Sequence, residues 1–311
     1  NIEAVYHSYI IDDYTPFEGI CLTDTFQMYE KEDLVDQVLV DNSARRKRQK
    51  KLDIQVIIGN PPYSIGQANA NDNNINVSYP QLDMRIEQTY AQKSTSTTTK
   101  GLYDSYIKAF RWASDRLNDN GVIGFLSNSG FIDKLVMSGM RDCLKNEFSS
   151  LYIFNLRGDI RKNMLSKGRA QEGQNIFGSG SMTGIAISIL VKNSSSTSGQ
   201  IFYYDIGDNL LREEKLQKIS ELKSISNVDF KIISPDKHND WIGLRDKSFD
   251  NFIQIGDKKG DATSLFNNYT LGVGTNRDAW VYNFSKLKLE QNCIRTIDFY
   301  NNEVDRFKGS Y

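Results

Sequence analysis

Asp53-Ile54-Gln55-Val56-Ile57-Ile58-Gly59 runs directly into Asn60-Pro61-Pro62-Tyr63. A β-branched run bounded by glycine and proline has the form of a short strand buried on both faces of a parallel sheet. Everything after Gly59 in this stretch is therefore presented at the exit of a strand.

Working outward, Leu102 to Leu117 places Tyr103, Tyr106, Ile107, Phe110, Ala113 and Leu117 at helical spacing, and Asn118-Asp119-Asn120-Gly121 ends that helix. Val122 to Leu126 reads as the next strand, Leu135 to Phe148 as a helix, Leu151 to Leu156 as a strand and Gly184 to Val191 as another. Strands alternating with helices predict an α/β fold with a doubly wound, mostly parallel sheet. Upstream, Gly19 to Phe26 reads as a short buried strand with Asp24 near its exit. Residues 27 to 51 look helical and finish in Arg45-Arg46-Lys47-Arg48-Gln49-Lys50-Lys51. That cluster reads either as a solvated helix end, where cations suit the macrodipole, or as a phosphate-contacting patch.

Residues 64 to 100 are dominated by Asn, Gln, Ser and Thr and are expected to form a long mobile loop. Residues 193 to 200 read as a turn or linker, and Tyr203 to Asn227 as a charged helix. Beyond about Ser234 the strand-helix rhythm is lost and aromatic pieces such as Trp241-Ile242-Gly243-Leu244 and Ala279-Trp280-Val281-Tyr282 appear. The expected organisation is a first domain over 1–233 and the start of a second over 234–311.

Composition narrows the chemistry. With 39% hydrophobic and 25% charged residues and a formal net charge of −1, the 311-residue chain has no global basic signature, so any nucleic-acid contact must come from local patches. No apolar run approaches the roughly 20 residues needed to span a bilayer, and no signal-peptide pattern opens the chain; a cytoplasmic protein is expected. Cys21, Cys143 and Cys293 lie far apart without C-x-x-C spacing, which argues against a disulfide framework or structural zinc. Two histidines, His7 and His238, leave little material for His-based general-base or metal chemistry, and no metal site is expected.

Against that scarcity, Asn60 to Tyr63 offers a specific alternative. An exocyclic amine of a nucleobase is a poor nucleophile because its lone pair is delocalised into the ring. Asn60 Oδ1 and the Pro61 carbonyl could each accept one N–H, drawing that lone pair onto the nitrogen. Pro61 and Pro62 stiffen the turn, and Tyr63 supplies a flat face on which a base can stack. The bland alternative is a Pro-Pro turn ending a strand beside a core tyrosine.

Asn-Pro-Pro-Tyr after an apolar strand resembles the catalytic motif of the amino-methyltransferases, above all the N6-adenine DNA methyltransferases. The resemblance implies a Rossmann-like methyltransferase fold, S-adenosylmethionine as cofactor, and duplex DNA as partner, with the target base rotated out of the stack. It makes Asn60, Pro61 and Tyr63 catalytic and Pro62 a substrate contact. Gly19 to Phe26 is similar to the family segment with an Asp near the cofactor's adenine, which would make Asp24 a cofactor contact; an ordinary helix N-cap is the competing role. Leu102-Tyr103-Asp104-Ser105-Tyr106 looks like the segment that helps wall the cofactor pocket, with Asp104 its polar candidate. Asn175-Ile176-Phe177-Gly178 resembles the segment whose aromatic residue holds the extruded adenine, so Phe177 is either a second jaw or a core residue. Leu271 to Trp280 looks like restriction-modification enzymes of the Type I SP and Type IIG kinds, where nuclease and translocase parts share one polypeptide with the methyltransferase and target-recognition parts.

One departure from the family matters. A glycine-rich cofactor loop is expected ahead of the catalytic strand, yet only Gly19 and Gly59 precede Asn60. The chain is therefore expected to be N-terminally incomplete, to end early in the target-recognition domain, and to be inactive by itself. Competing substrates for the same motif are cytosine N4, an RNA base or a protein glutamine, and a reading of another class is a non-catalytic DNA-recognition segment.

Overall fold

A computed structural model of the chain describes residues 19–26, 40–62, 79–96, 98–165, 171–178, 182–196, 199–242, 248, 251–257, 263–268, 270, 272, 274–275 and 278–309. Contacts divide the chain into two compact units, Asn1–Leu244 and Arg245–Tyr311.

The first unit contains, in order, α1 (Val40–Lys51), β1 (Ile54–Gly59), α2 (Pro80–Ile86), α3 (Ser105–Arg116), β2 (Leu117–Asn128), α4 (Gly130–Asp133), α5 (Ser138–Glu147), β3 (Ser150–Arg157), α6 (Ile160–Leu165), β4 (Ile185–Asn193), β5 (Gln200–Asp205), α7 (Arg212–Leu222) and β6 (Lys231–Ile233). The sheet order is β1-β2-β4-β3-β5-β6. Ile123, Leu151, Ile153 and Ile201 pack on one side of it with the aromatic residues of α3 and α4. Phe154, Leu156, Ile185 and Ile206 pack on the other, against Ile219 and Leu222 of α7. Adjacent Ile153 and Phe154 thus enter different cores, as period-2 alternation requires. Helices on both faces make the sheet doubly wound.

The expectation of a mostly parallel sheet holds for direction and not for pairing. β1, β2, β3 and β5 run the same way, but β4 is inserted antiparallel between β2 and β3, and β6 is antiparallel to β5. Three of the five junctions are therefore antiparallel. Direction is invisible to hydrophobic patterning, because a buried strand carries the same run of apolar residues either way.

Other expectations need correction. β1 is not covered on both faces: it is an edge of the described sheet, and Val56 and Ile58 are 61% and 83% exposed. Residues 19–26 form no strand. The backbone of Leu22 is held instead by Asn42 of α1, whose Oδ1 accepts from Leu22 N (2.6 Å) and whose Nδ2 donates to Leu22 O (2.9 Å). The long loop expected over 64–100 contains α2, which continues as a π-helix over Glu87–Ala91. Leu82, Ile86 and Tyr90, four residues apart, are all buried, and Pro80 starts the helix where its missing N–H costs nothing. The polar average of the segment concealed three core residues at helical spacing. The helix expected over 203–227 is β5 followed by α7, since Ile201 and Tyr203 alternate into the core beside β3.

β2 begins at Leu117, earlier than expected, and absorbs Asn118 to Gly121 in a register shift against β1. Glycine is required there, because a Cβ at 121 would lie 2.4 Å from Gln55 O. The first unit extends beyond the 233/234 boundary expected from sequence. Arg141, fully buried, donates to Asn239 O (2.6 Å) and Asp240 Oδ1 (2.6 Å), and Trp241 meets Phe131 edge-on at 6.0 Å.

In the second unit, β7 (Gln254–Gly256) pairs in parallel with β8 (Ser264–Phe266), followed by α8 (Asp278–Val281) and the 23-residue α9 (Lys286–Lys308). Ser285 caps α9 by accepting from Lys288 N (3.3 Å). No described helix is long and apolar enough to cross a membrane.

Candidate functional site

Asn60 follows the last residue of β1 and is exposed, Pro61 behind it is buried, and Pro62 is exposed again. A buried proline between two exposed residues anchors the turn. Gly59 lies against Phe125, whose ring would be 3.3 Å from an added Cβ. Tyr63 lies outside the described residues.

The C-terminal ends of the co-directional strands gather further polar groups on this edge. β2 ends in buried Ser127 and Asn128, followed by buried Ser129; Asn128 Oδ1 accepts from Gly130 N (2.8 Å) and Ser129 N donates to Gly184 O (2.8 Å). Because α3 crosses back between β1 and β2, its N-terminus and Asp104 stand at the same edge as Asn60. Asp104 is 2% exposed. Burial pushes the Tyr106 phenol well above its ordinary value, and the carboxylates of Asp104 and of Asp133, just after β2, push it the same way.

Asp24 is half-buried and doubly engaged: Oδ1 accepts from Phe26 N (3.1 Å) and Oδ2 from the Tyr79 hydroxyl (2.8 Å). With Thr23, Thr25, Ile57, Ile58 and Trp112 it lines a cavity of about 290 Å³ on the flank of β1. Ile57 is three residues before Asn60, roughly 10 Å along the strand. Arg46, Gln49, Lys50 and Arg116 add to the lining, so the apolar flank of β1 and one carboxylate acceptor, which suit the aminopurine ring of S-adenosylmethionine, stand beside cationic side chains. Asp104 does not line this cavity. A larger polar bowl of about 780 Å³ opens at the opposite edge of the sheet beside Gln55, Leu117 and Lys192. Its arginines are already paired, Arg111 with Glu147 (2.7 Å) and Arg85 with Asp115 (2.8 Å), and Lys192 donates to Ser114 O and Leu117 O (3.4 Å each).

Phe177 is 47% exposed and is not a core residue, whereas its neighbour Ile176 is buried. It sits on the segment 171–178, which is pinned by buried Asn175. That side chain donates to Thr183 O (2.8 Å) and Gly158 O (3.3 Å) and accepts from Phe177 N (2.9 Å). The pinned carbonyls follow β3 and precede β4, so Phe177 is tethered to the same sheet edge as Asn60. Two strand spacings, roughly 10 Å, separate β4 from β1. A cavity of about 300 Å³ lined by Ile160, Gly173, Gln174, Asn175 and Gly178 adjoins the segment.

Sequence reasoning missed the supports of this segment. Arg157, with φ of 57°, and Gly158, with φ of 92°, turn the chain out of β3. The Arg157 guanidinium forks onto Asp205 (2.7 and 3.0 Å), contacts Asp208, and reaches Gln171 O (2.9 Å). Lys215, fully buried on α7, donates to Leu156 O (2.8 Å) and Glu172 O (2.9 Å). Only the strand-ending Arg157-Gly158-Asp159 carried a sequence signal, as a turn.

Residues 14–160 match the family described as Eco57I restriction-modification methylase, and residues 264–310 match the Type ISP C-terminal specificity domain. Among solved structures, the chain is similar to a nuclease-deletion mutant of the Type ISP restriction-modification enzyme LlaGI in complex with a DNA substrate mimic. That match has 49% identity and a TM-score of 0.77, over 94% of this chain and 24% of that one. It is similar to the ATP-dependent Type ISP enzyme LlaBIII bound to DNA (44% identity, TM-score 0.79, 95% of this chain and 20% of that one). A third likeness is to DrdV in a DrdV-DNA complex (35% identity, TM-score 0.76, 96% and 30%). No curated protein matches. The chain spans between a fifth and a third of the length of these structures. A methylase segment followed by a Type ISP specificity segment, with this likeness running along nearly the whole chain, makes it the methyltransferase part of a Type ISP restriction-modification enzyme.

Proposed function

We propose that this chain, as part of its complete enzyme, transfers a methyl group from S-adenosylmethionine to the N6 amine of an adenine rotated out of duplex DNA. The observation that carries the reading is Asn60, exposed at the exit of β1 and backed by buried Pro61. The relatives LlaGI, in complex with a DNA substrate mimic, and LlaBIII and DrdV, in complex with DNA, support the choice of partner. The first unit, to Leu244, would form most of the catalytic domain and the second, from Arg245, the start of target recognition, with nuclease and translocase parts in the same polypeptide.

In this reading Asn60 Oδ1 and the Pro61 carbonyl each accept one amine hydrogen, and the nitrogen becomes tetrahedral with its lone pair free to attack. Fixed acceptors of this kind cost no reorganisation when charge develops. Tyr63 stacks on one face of the base and the half-exposed Phe177 ring approaches from the other, offsetting the few kcal/mol of unstacking. Pro62 walls the turn. Asp24 would accept the exocyclic amine of the cofactor's adenine, and Asp104, outside that cavity at the N-terminus of α3, would be a second cofactor contact on the Asn60 side. The cofactor supplies an electrophilic methyl group on its sulfonium. The proton lost by the methylated amine goes to water, so no histidine is needed.

The test is methylation of duplex DNA by the complete enzyme with labelled cofactor, followed by nucleoside analysis. N6-methyladenine is expected; N4-methylcytosine or unlabelled DNA would overturn the reading. Asn60→Ala should lower kcat about 10²–10³-fold, the typical loss of one such hydrogen-bonding group. DNA affinity, set by phosphate contacts elsewhere, should change less than about twofold.

A further inference from the structure

We infer that Arg212 and Lys215, both on the first turns of α7, are positioning residues that set the orientation of Phe177; the inference rests on the base-holding role proposed for that ring. The Phe177 side chain is half exposed, so its direction is inherited from the backbone of 171–178. That backbone is gripped from α7 at two carbonyls four residues apart. Lys215 Nζ donates to Glu172 O (2.9 Å), and Arg212 Nε donates to Ile176 O (2.8 Å), the residue just before Phe177. Between those two points, Arg212 N donates to Gln174 Oε1 (3.1 Å) and Gln174 N donates to Leu210 O (2.9 Å).

Lys215 is the less obvious choice of residue. A leucine would fill a fully buried helical position without desolvating a charge, and α7 already presents apolar Ile219 and Leu222 to the same core. Burial pushes the Lys215 ammonium down to about 8, against the Glu172 carboxylate, which pushes it up. What the lysine provides that leucine cannot is a bridge. Its second bond, to Leu156 O (2.8 Å), ties the same nitrogen to the end of β3. The strand end and the loop are thereby held to one helix, and a shift of α7 would swing the 171–178 segment with it.

The experiment uses the complete enzyme and its own recognition duplex with 2-aminopurine replacing the methylated adenine. It reads the fluorescence of the extruded base together with kcat and KM on the unmodified duplex. Phe177→Ala sets the reference. Arg212→Ala, which removes a partly exposed side chain and leaves no buried charge, should shift the fluorescence at least half as far as Phe177→Ala. It should lower kcat about 5–50-fold and change KM for DNA less than threefold. Lys215→Met should do the same. Added to Phe177→Ala, either substitution should cause no further loss, because the ring it positions is gone.

Unchanged fluorescence and kcat in Arg212→Ala, beside an affected Phe177→Ala, overturn the positioning role alone. Losses that multiply in the double variant overturn it as well. If Lys215→Met does not fold, Arg212→Ala decides. A Phe177→Ala enzyme indistinguishable from the parent overturns the base-holding reading, and this inference with it.

Discussion

Replacing Asn175 by Asp changes one nitrogen into an oxygen and leaves the side chain's shape intact, so its consequences can be worked from three bonds. The Oδ1 that accepts from Phe177 N (2.9 Å) survives. The Nδ2 that donates to Thr183 O (2.8 Å) and Gly158 O (3.3 Å) becomes an oxygen facing two carbonyl oxygens. Two lost bonds cost about 1 kcal/mol each, and acceptors left unpaired at a site 4% exposed add about 1 kcal/mol more, so the segment should loosen by about 3 kcal/mol at neutral pH. Amide hydrogen exchange of 171–178 should then run roughly 100-fold faster, at about 1.4 kcal/mol per factor of ten. Protonation provides an internal check on the cause. A buried carboxyl facing two carbonyls has its folded pKa raised above the ordinary value near 3.9, because burial and the facing oxygens disfavour its charged form. The stability it contributes is therefore present below about pH 4 and is lost as pH rises through the raised folded value. Acid should accordingly restore part of the protection relative to Asn175→Ala, which has no such group. Exchange within about threefold of the parent at pH 7 would refute the pinning, and an acid-insensitive defect would refute its electrostatic origin.

Tyr63→Ala should weaken the hold on the extruded base by about 1–3 kcal/mol, whereas Tyr63→Phe should be mild because stacking uses the ring face; a severe Phe variant in 2-aminopurine titrations would rule stacking out. Gly139→Ala in α5 should destabilise by several kcal/mol despite the roughly 1 kcal/mol that alanine gains in a helix interior. Its Cβ would lie 2.0 Å from Tyr90 O and 2.6 Å from Ser94 N, both backbone atoms, and an unchanged unfolding midpoint would contradict that packing. Lys215 should make stability rise with pH between about 8 and its unfolded value near 10.5, since the unfolded chain holds the proton more tightly over that window. Glu172, Arg157 and Asp205 all act on this ammonium, and the slope should be lost in Lys215→Met, as read by denaturant titration at pH 7.5 and 10.

The legible parts of this molecule are those whose signal is local. β2, β3 and β4 were readable because their apolar runs are buried wherever the chain goes, and Asn60 to Tyr63 because two prolines and an amide after a strand have few other uses. α2 was hidden because Leu82, Ile86 and Tyr90 stand in a stretch whose average is polar, and an average erases a four-residue period. The antiparallel insertion of β4 was hidden because direction is decided by the connection, here the chain from α6 to Gly184, and not by the strand's own residues.

The site divides along the same line. In the proposed function Asn60 acts through its own side chain, so the sequence alone singles it out. The grip on Phe177 is distributed over Arg157, Asn175, Arg212 and Lys215, which are separated by up to 58 residues and meet through backbone carbonyls. A carbonyl is present at every residue and marks none of them. Any cation or amide in this half of the chain could have been such a partner, and only the crossing of α7 over the exit of β3 selects these four. That asymmetry explains why the motif identifies a reaction class from four residues while the part of the site that would decide which base is held has to be read from the fold.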